Sequence, residues 1–546
     1  MKINIKTVLA TAVAVVSFSA CSNYVDIDSP NPNAPESVPI SGILTGGQLN
    51  FANDFAYSLY MNEVLQAYTH QMVIREEGGR YDVTTSNLPN SNSWDNFFSG
   101  TLKQLDAVID AGTEEGNLKY VGIAKILKAH AFTRAVDVWG DIPFTEAGKG
   151  PSTFLNPKFD DDQAIYEACF DLIDQGIADL NATAPNLQVP GNDDIFYSGD
   201  MDSWKRFANT LKLHLYNQVR NTSLFNSSEV NSLLSGGQLI NDVSQDFELD
   251  YSTTMSPADE RNPLFRDEYG GGQITHYISP FLYEMQKGWN PNILTGIEDP
   301  RIPYYYVNQL APGETPTNEG DYHDTASGFL SIRFGSTGPN VDKAQRDAGT
   351  MVGNYIAGGK FDDGLGGSLS VTSGTGHAPL RILTLYDRYF IEAELIQAGL
   401  VAGNAQTALQ NAIDAAFAKV NQIASFSSIS GISTTVRDQY KNAVIGQFSN
   451  ASSNKKMEII MTQKWIANFG NPLTSYSDYR RTGYPVWPDP NMTSGSEYML
   501  PGLDDSETFI SRGYPLSEFW PSTELSANSS APAQKVPTTY KVFWDN

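Results

Sequence analysis

Two carboxylates stand close together where a glycosidase would need a general acid and a base. Asp141 and Glu146 flank the segment I-P-F-T, and paired carboxylates are the groups that hydrolyse glycosidic bonds. The same spacing has a structural interpretation, in which Asp141 fixes the turn after Gly140 and Glu146 is solvated or salt-bridged. We favour that interpretation, so the segment predicts a turn rather than an active site.

The sequence also lacks the motifs of metal-dependent and nucleophilic catalysis. No two of the six histidines have metal-ligand spacing, and neither H-E-x-x-H nor G-x-S-x-G occurs. Asp362-Asp363 could bind calcium together with loop carbonyls, but the spacing does not match an EF-hand. Arg480-Arg481 could clamp a carboxylate, although we favour a role in tying the C-terminal segment to the helices. The sequence therefore predicts no enzyme, no metal and no cofactor.

Aromatic and amide side chains in loops could instead bind a sugar. The apolar face of a sugar ring stacks on Trp or Tyr, while amides and charged groups pair with its hydroxyls. Trp289 stands in M-Q-K-G-W-N-P-N with Asn290 beside it, and no helical face includes it. The other candidates for this aromatic shelf are Arg80, Tyr81, Tyr304, Tyr322 and Tyr355. Each of these tyrosines has packing in the interior as its alternative role.

Composition indicates a large globular protein with an acidic surface. The chain has 546 residues, of which 40% are hydrophobic and 18% charged, and its formal net charge is −26. Such a charge repels the phosphates of nucleic acids and disfavours sulfated or uronate-rich polysaccharides. The sequence therefore predicts no nucleic-acid binding, and it favours neutral sugars or cationic peptides as ligands.

The N-terminus has the pattern of an exported lipoprotein. Residues 1–20 combine two early lysines with an apolar stretch that is too short to span a bilayer. They end in F-S-A before Cys21, which is similar to a lipoprotein cleavage box, although an aliphatic residue is commoner than this phenylalanine. The alternative is an ordinary cleaved signal, with Cys21 incidental. Residues 21–39 are rich in Pro, Asn and Ser and predict an extended tether, and the body begins near Ile40.

Apolar residues recur at helical spacing over much of the chain. From Ala124 to Val138 they form a face of small residues, which allows a neighbouring helix to approach closely, and Gly140 ends this helix. Similar patterns predict further helices over 49–73, 93–109, 160–180, 200–220, 405–423, 436–448 and 455–469. Residues 241–380 lack the periodicity and are rich in Gly, Pro, Asn and Asp, which predicts a long irregular excursion.

Six segments in register resemble the motifs of one family. The most specific are W-G-D-I-P-F-T-E-A at 139–147 and D-Y-R-R-T-G-Y-P at 478–485. The others are W-x-x-F-A-N from 204, D-P-R from 299, A-P-L-R from 378 and W-P-S-T-E from 520. Two positions depart from the family pattern, since Asp387 replaces a Glu and Trp520 replaces a Tyr. Together the segments resemble the SusD/RagB family of nutrient-binding lipoproteins of Bacteroidetes.

The resemblance implies both a fold and a function. Helices that pair across short connections would stack as in tetratricopeptide arrays, so the expected fold is all-α with long irregular loops. Residues 40–546 would form one nutrient-binding domain, palmitate on Cys21 would anchor it, and the protein would be exposed on the outer membrane. The implied partner is a SusC-like TonB-dependent transporter, on which the protein sits as a lid that captures oligosaccharide or polysaccharide. The alternative is a peptide-binding lid of a peptide-importing transporter.

Overall fold

Helices make up most of the regular structure, which confirms the prediction of an all-α fold with long loop excursions. The computed structural model describes residues 38–54, 56–57, 60–74, 88–150, 153–184, 187–317, 322–333, 346–486 and 514–545. The predicted lipidation site, Cys21, and two predicted shelf residues, Arg80 and Tyr81, lie outside the described residues. Within the described residues, no helix is both long and apolar enough to cross a bilayer.

The first part of the chain forms a series of helices that pack on one another. They are α1 (Ile40–Asn53), α2 (Met61–Tyr68), α3 (Leu88–Asp95), α4 (Lys103–Glu115), α5 (Leu118–Trp139), α6 (Asp162–Leu180), α7 (Met201–Gln218) and α8 (Ser227–Gly236). A π-helical segment, Asn96–Leu102, joins α3 to α4. Helix α5 packs against both α4 and α6. A Cβ on Gly122 of α5 would lie 2.7 Å from the carbonyl oxygen of Gly176 in α6, so small residues permit the close approach that the sequence predicts.

The prediction of a single helix over 49–73 is wrong, because the structure has two helices and a strand there. Helix α1 ends at Asn53, α2 begins at Met61, and strand β1 (Met72–Ile74) follows. Phe51 of α1 and Leu65 of α2 are both fully buried in the same apolar cluster. Apolar spacing therefore continues across the break, since both helices face the same interior.

Residues 241–380, predicted to be irregular, contain short regular elements. The helices are α9 (Pro263–Gly270), α10 (Pro280–Gln286), α11 (Ile302–Tyr305) and α12 (Asn354–Ala357), with one 3-10 turn, Val243–Gln245. The other strands of the fold are β2 (Ile142–Pro143), β3 (Phe159–Asp160), β4 (Phe247–Leu249), β5 (His276–Ile278), β6 (Tyr306–Val307), β7 (Tyr322–Asp324), β8 (Phe329–Ser331), β9 (Met351–Val352) and β10 (Leu380–Leu383). They form antiparallel pairs: β1 with β5, β2 with β3, β4 with β10, β6 with β9 and β7 with β8.

The C-terminal part returns to helices, of which those over 405–426, 434–450 and 453–467 lie close to the predicted positions. The helices are α13 (Leu385–Gln397), α14 (Ala405–Phe426), α15 (Thr434–Asn450), α16 (Ser453–Ala467), α17 (Pro472–Thr482) and α18 (Ser522–Ala527). Helix α13 begins with a capping box, in which Thr384 and Asp387 bond to each other's backbone N–H. The aspartate that departs from the family motif therefore stabilises the start of this helix.

Two clusters of buried apolar side chains fill the interior. The first core is built mainly by α1 to α8 and includes Trp204. The second core is built by the short elements of 241–380 together with α14 to α16, and it includes Trp465. Helix α13 contributes to both, because Ile391 belongs to the first core and Phe390 to the second.

A buried ionic network joins α13 to its neighbours. The carboxylate of Glu394 accepts hydrogen bonds from Arg220 and Arg481 and, at 2.8 Å, from the amide of Asn217. Burial alone would raise the pKa of Glu394, but Arg220, Arg481 and Lys464 lower it well below its ordinary value. Glu394 is therefore ionised, and it links α7 and α17 to the helix shared by both cores.

We expect Glu394→Gln to lower the free energy of unfolding by about 3–5 kcal/mol, because it leaves the largely buried Arg220 without its carboxylate and removes one of the two carboxylates that pair with Arg481, the other being Asp478. Asp414→Asn is the matched control, since Asp414 also receives two cations but is partly exposed, with Lys441 at 2.7 Å and Arg437 at 3.1 Å. It should cost less than about 1 kcal/mol. Urea denaturation measures both, and equal losses would contradict a central role for the buried network.

Candidate functional site

Trp289 is a large aromatic side chain with a substantial exposed surface, at 38%. It lies in a loop of residues 287–298, here called the Trp289 loop, which follows α10. Its ring and that of Tyr283 form a T-shaped pair, with a centroid distance of 5.4 Å and an interplanar angle of 89°. The ammonium group of Lys287 lies 5.8 Å from the ring centroid. The indole is therefore supported from the protein side while part of its surface stays open to solvent.

Tyr283 provides the support for this indole. Its ring stacks on Phe329 at 3.9 Å, with an interplanar angle of 11°, and its hydroxyl bonds to Asp324 and, at 2.7 Å, to Ser327. Burial and the bond to Asp324 raise the pKa of Tyr283 well above its ordinary value. The phenol therefore remains a donor and holds the ring in one position.

Local hydrogen bonds fix the Trp289 loop from within. The N–H of Gly296 donates to the carbonyl of Gly288 at 2.8 Å, which closes the loop. The side chain of Asn290 accepts from the N–H of Asn292 at 2.9 Å, and the hydroxyl of Thr295 donates to the carbonyl of Asn290 at 2.8 Å. Asn290 is 3% exposed. The structure therefore brings Asn290 next to Trp289 as a loop-forming residue.

Helix α15 holds the loop from the other side. The side chain of Gln447 accepts from the N–H of Leu294 at 3.0 Å and donates to the carbonyl of Thr295 at 3.3 Å. These two bonds join residues that are 153 and 152 positions apart in the sequence. The loop and the helix consequently form the two walls of one surface feature.

An open groove of about 630 Å³ lies between the Trp289 loop and helices α15 and α16. Its apolar lining residues are Ile293, Ile297, Ala443, Gly446, Ala451 and Ile459. Its polar lining residues are Asn292, Gln447, Asn450 and Lys455. Lys455 forms an ion pair with Glu458 at 2.6 Å, so amides dominate the chemistry that the groove offers. The indole of Trp289 is not among these lining residues, but it belongs to the loop that forms one wall of the groove. Apolar surface with amide groups suits a ligand that has C–H faces and hydroxyls.

The predicted shelf tyrosines do not join Trp289 at the surface. Tyr304, Tyr322 and Tyr355 are at most 5% exposed, and their hydroxyls donate to other parts of the protein. Tyr322 bonds to Glu284 at 3.0 Å, and Tyr355 stacks on Tyr305 with centroids 4.6 Å apart. Their rings pack in the second core, which is the alternative role that the sequence left open.

Three groove residues, Gln447, Asn450 and Lys455, were not among the predicted site residues. They lie on or next to helices whose sequence pattern indicates only an exposed polar face. No local signal separates such residues from the rest of a solvated face, because their role depends on the distant Trp289 loop. Asn292 is the one polar groove residue that could have been predicted from the sequence, because it lies close to Trp289 in the chain.

Three carboxylates were considered above for catalysis or for calcium binding. All three accept hydrogen bonds from backbone N–H groups. Asp141 accepts from the N–H of Asp162 at 3.0 Å, and Glu146 accepts from the N–H of Lys158 at 2.9 Å, which supports their structural interpretation. Asp362 accepts from the N–H of Asn308 at 3.1 Å and shapes a loop.

Near the start of α6, one carboxylate oxygen each of Asp141, Asp161 and Asp162 lie within 4.8 Å of one another. Asp161 caps α6 through the N–H of Ala164, and Asp162 accepts from the N–H of Phe543 at 2.9 Å. Burial, with the nearby Asp141 and Asp161, raises the pKa of Asp162 to about 6. Asp141 therefore joins the turn after α5 to α6, Asp162 joins α6 to the C-terminal segment, and Asp161 caps α6.

Arg480 has the structural role that the sequence favours. Its guanidinium donates to the carbonyl of Leu516 at 2.6 Å and to the carbonyl of Asp137 in α5. It also lies 4.5 Å from the ring of Trp544. The prediction that this arginine ties the C-terminal segment to the helices is therefore confirmed.

The structure is a helical scaffold with a fixed aromatic loop and an amide-lined groove, and comparison with known families shows to which family it belongs. The family described as "Starch-binding associating with outer membrane", a SusD-like family, matches residues 32–502. The chain therefore belongs to the SusD-like family. Among curated protein sequences, none matches the chain.

Solved structures share the fold over nearly the whole chain. A chitin-binding protein has a TM-score of 0.67 at 20% identity, covering 93% of this chain and 100% of its own. A SusD/RagB family protein from Bacteroides thetaiotaomicron has a TM-score of 0.66 at 18% identity, covering 93% and 99%. A chitin-binding SusD homolog from Flavobacterium johnsoniae has a TM-score of 0.64 at 18% identity, covering 92% and 98%. At these identities the likeness establishes the shared fold.

We expect Gly288→Ala to destabilise the Trp289 loop more than Gly296→Ala does. Both glycines have positive φ, 68° and 73°, so alanine costs about 1–2 kcal/mol at either position. A Cβ on Gly288 would also lie 2.6 Å from the backbone nitrogen of Ile297, whereas one on Gly296 meets no atom within 4 Å. Hydrogen exchange over residues 287–298 and the free energy of unfolding measure the difference. Equal effects would contradict the close contact between the two ends of the loop.

Proposed function

We propose that this protein is a cell-surface lipoprotein of the outer membrane that captures neutral oligosaccharide or polysaccharide and passes it to a TonB-dependent transporter. The observation that carries the proposal is Trp289, an indole that is 38% exposed, on a fixed loop that forms one wall of an amide-lined groove. The family description and two chitin-binding structures of the same fold support a glycan as the ligand class.

The charge of the groove supports a neutral glycan. Among the lining residues, all of them described, Lys455 is the one charged side chain, and Glu458 offsets it. The whole chain is strongly acidic, with a formal net charge of −26, which opposes the approach of polyanions. A neutral sugar instead uses stacking on Trp289 and hydrogen bonds to Asn292, Gln447 and Asn450.

In this proposal the protein binds and releases its ligand without changing a covalent bond. The carboxylates Asp141 and Glu146 take part in turns near α6, and they belong to the side of the molecule built by the first core. The groove belongs to the side built by the second core. No pair of carboxylates lines the groove among the described residues, so its chemistry supports binding.

Membrane attachment and the partner are further parts of the proposal. A Cys21 acylated after cleavage of residues 1–20 would anchor the chain, and residues 22–39 would act as the tether. The family's association with the outer membrane supports this location. The SusC-like transporter partner rests on the sequence resemblance, and it gives the captured ligand a route inward.

We expect Trp289→Ala to weaken glycan binding at least about tenfold, because it removes the exposed ring face. Calorimetry on residues 22–546 would use malto-oligosaccharides, chito-oligosaccharides, an acidic polysaccharide and a peptide digest. Phe154→Ala is the matched control, since Phe154 is 36% exposed, close to the 38% of Trp289, but does not belong to the loop that forms a wall of the groove.

Unchanged glycan affinity in Trp289→Ala would reject this loop as the binding site. Binding of the peptide digest without any glycan would reject the ligand class and favour the peptide-importing alternative. Loss of affinity in both variants would indicate a general structural effect and would also count against the site.

We expect Cys21→Ser to release the full-length protein from the membrane fraction and to abolish labelling by radioactive palmitate. The matched control is Cys169→Ser, which changes the other of the two cysteines, a buried one. Fractionation and labelling in a bacterium with an outer membrane measure both. Continued labelling of Cys21→Ser would exclude this cysteine as the lipid anchor.

A further inference from the structure

A small polar cavity of about 40 Å³ lies in the interior, between α2, α5, α7, β10 and α17. It shares no lining residue with the groove beside Trp289. Its lining includes two cationic side chains, Arg134 and Arg381, and one carboxylate, Asp137. A polar cavity of this size has room for one small ion with a few waters.

Arg381 is the cation that lacks a counter-charge. It is 4% exposed, one guanidinium nitrogen donates to the carbonyl of Phe469 at 2.7 Å, and the group lies 3.7 Å from the ring centroid of Tyr355. Its Nε and Nη1 have no hydrogen-bond partner, and no carboxylate of the described residues forms an ion pair with it. Burying an unpaired charge is costly, so such a group needs a compensating anion.

The other charges at the cavity have partners. Asp137 accepts hydrogen bonds from Tyr166 and, at 2.9 Å, from the indole of Trp544. The positive charge of Arg480 also lowers the pKa of Asp137, although burial raises it overall, to about 6. Arg134 interacts electrostatically with the buried Asp54. The charge of Arg381 is therefore the one that these residues leave uncompensated.

The neutral polar residues of the lining are Asn62, His130, His214, Asn471, Thr474 and Ser477. Both ring nitrogens of His130 and the side-chain oxygen of Asn62 are buried and without a hydrogen-bond partner. Burial, together with Arg134 and His214, lowers the pKa of His130 well below its ordinary value. A neutral imidazole has one N–H to donate, so His130 adds a donor without adding a second charge.

We propose that this cavity binds a small monovalent inorganic anion, held by the guanidinium of Arg381 with His130 as a further donor. The volume selects against larger oxyanions such as sulfate. The carboxylate of Asp137 on the same lining selects against a second negative charge. The site would stabilise the packing of β10 between α5 and α17.

Crystals of the unmodified protein grown in sodium bromide test the site directly, because bromide replaces chloride and scatters anomalously. The expected result is an anomalous peak beside the guanidinium of Arg381. Water density without an anomalous signal would overturn the proposal. This measurement needs no variant, so it does not depend on the folding of a mutant.

Thermal unfolding tests the same site in solution. We expect the unfolding midpoint to rise by about 2 °C in chloride, relative to gluconate at equal ionic strength, when chloride exceeds its dissociation constant tenfold. Arg381→Met should abolish this rise. Arg261→Met should retain it, because Arg261 already pairs with Asp259 at 2.6 Å. An equal midpoint in both salts, or a rise that survives Arg381→Met, would overturn the proposal.

Discussion

The fold depends on a carboxylate that is removed from water and neutralised by cations from other helices. Glu394 forms ion pairs with Arg481 of α17 and with Arg220, which lies just beyond α7. Helix α13, which carries Glu394, faces both hydrophobic cores. Ionic groups in an interior are tolerated only when their geometry is satisfied, so this contact constrains the positions of three helices at once. The apolar cores supply most of the burial, while the ionic network fixes how they meet.

Periodicity predicts helices well where one face is buried and the cap is local. The helix predicted over 200–220 is α7, which begins after the cap Asp200 and ends at Gln218. Prediction from periodicity fails where two separate helices face the same core, as α1 and α2 do. Helix α17 was missed because charged and polar residues dominate it, and their partners, such as Glu394, are distant in sequence.

The candidate site was predictable only in part, for a physical reason. Trp289 stood out because no periodic apolar face includes it, and the structure leaves it 38% exposed. The same reasoning could not separate Trp289 from Tyr304 or Tyr355, since residues in helices of a single turn become buried without a regular pattern. Gln447 is harder still, because its role arises from a loop 153 residues away.

The position of the Trp289 loop affects how tightly a ligand can bind. Asp299, directly after the loop, pairs with Arg301 at 2.6 Å, and this guanidinium lies 4.9 Å from the ring of Phe417 in the second core. A binding loop that is anchored in a core loses little conformational freedom when a ligand arrives, so less binding energy is spent on ordering it. Discrimination between ligands then depends on the groove itself, where amides can match hydroxyls and an unmatched charge would be left without a partner.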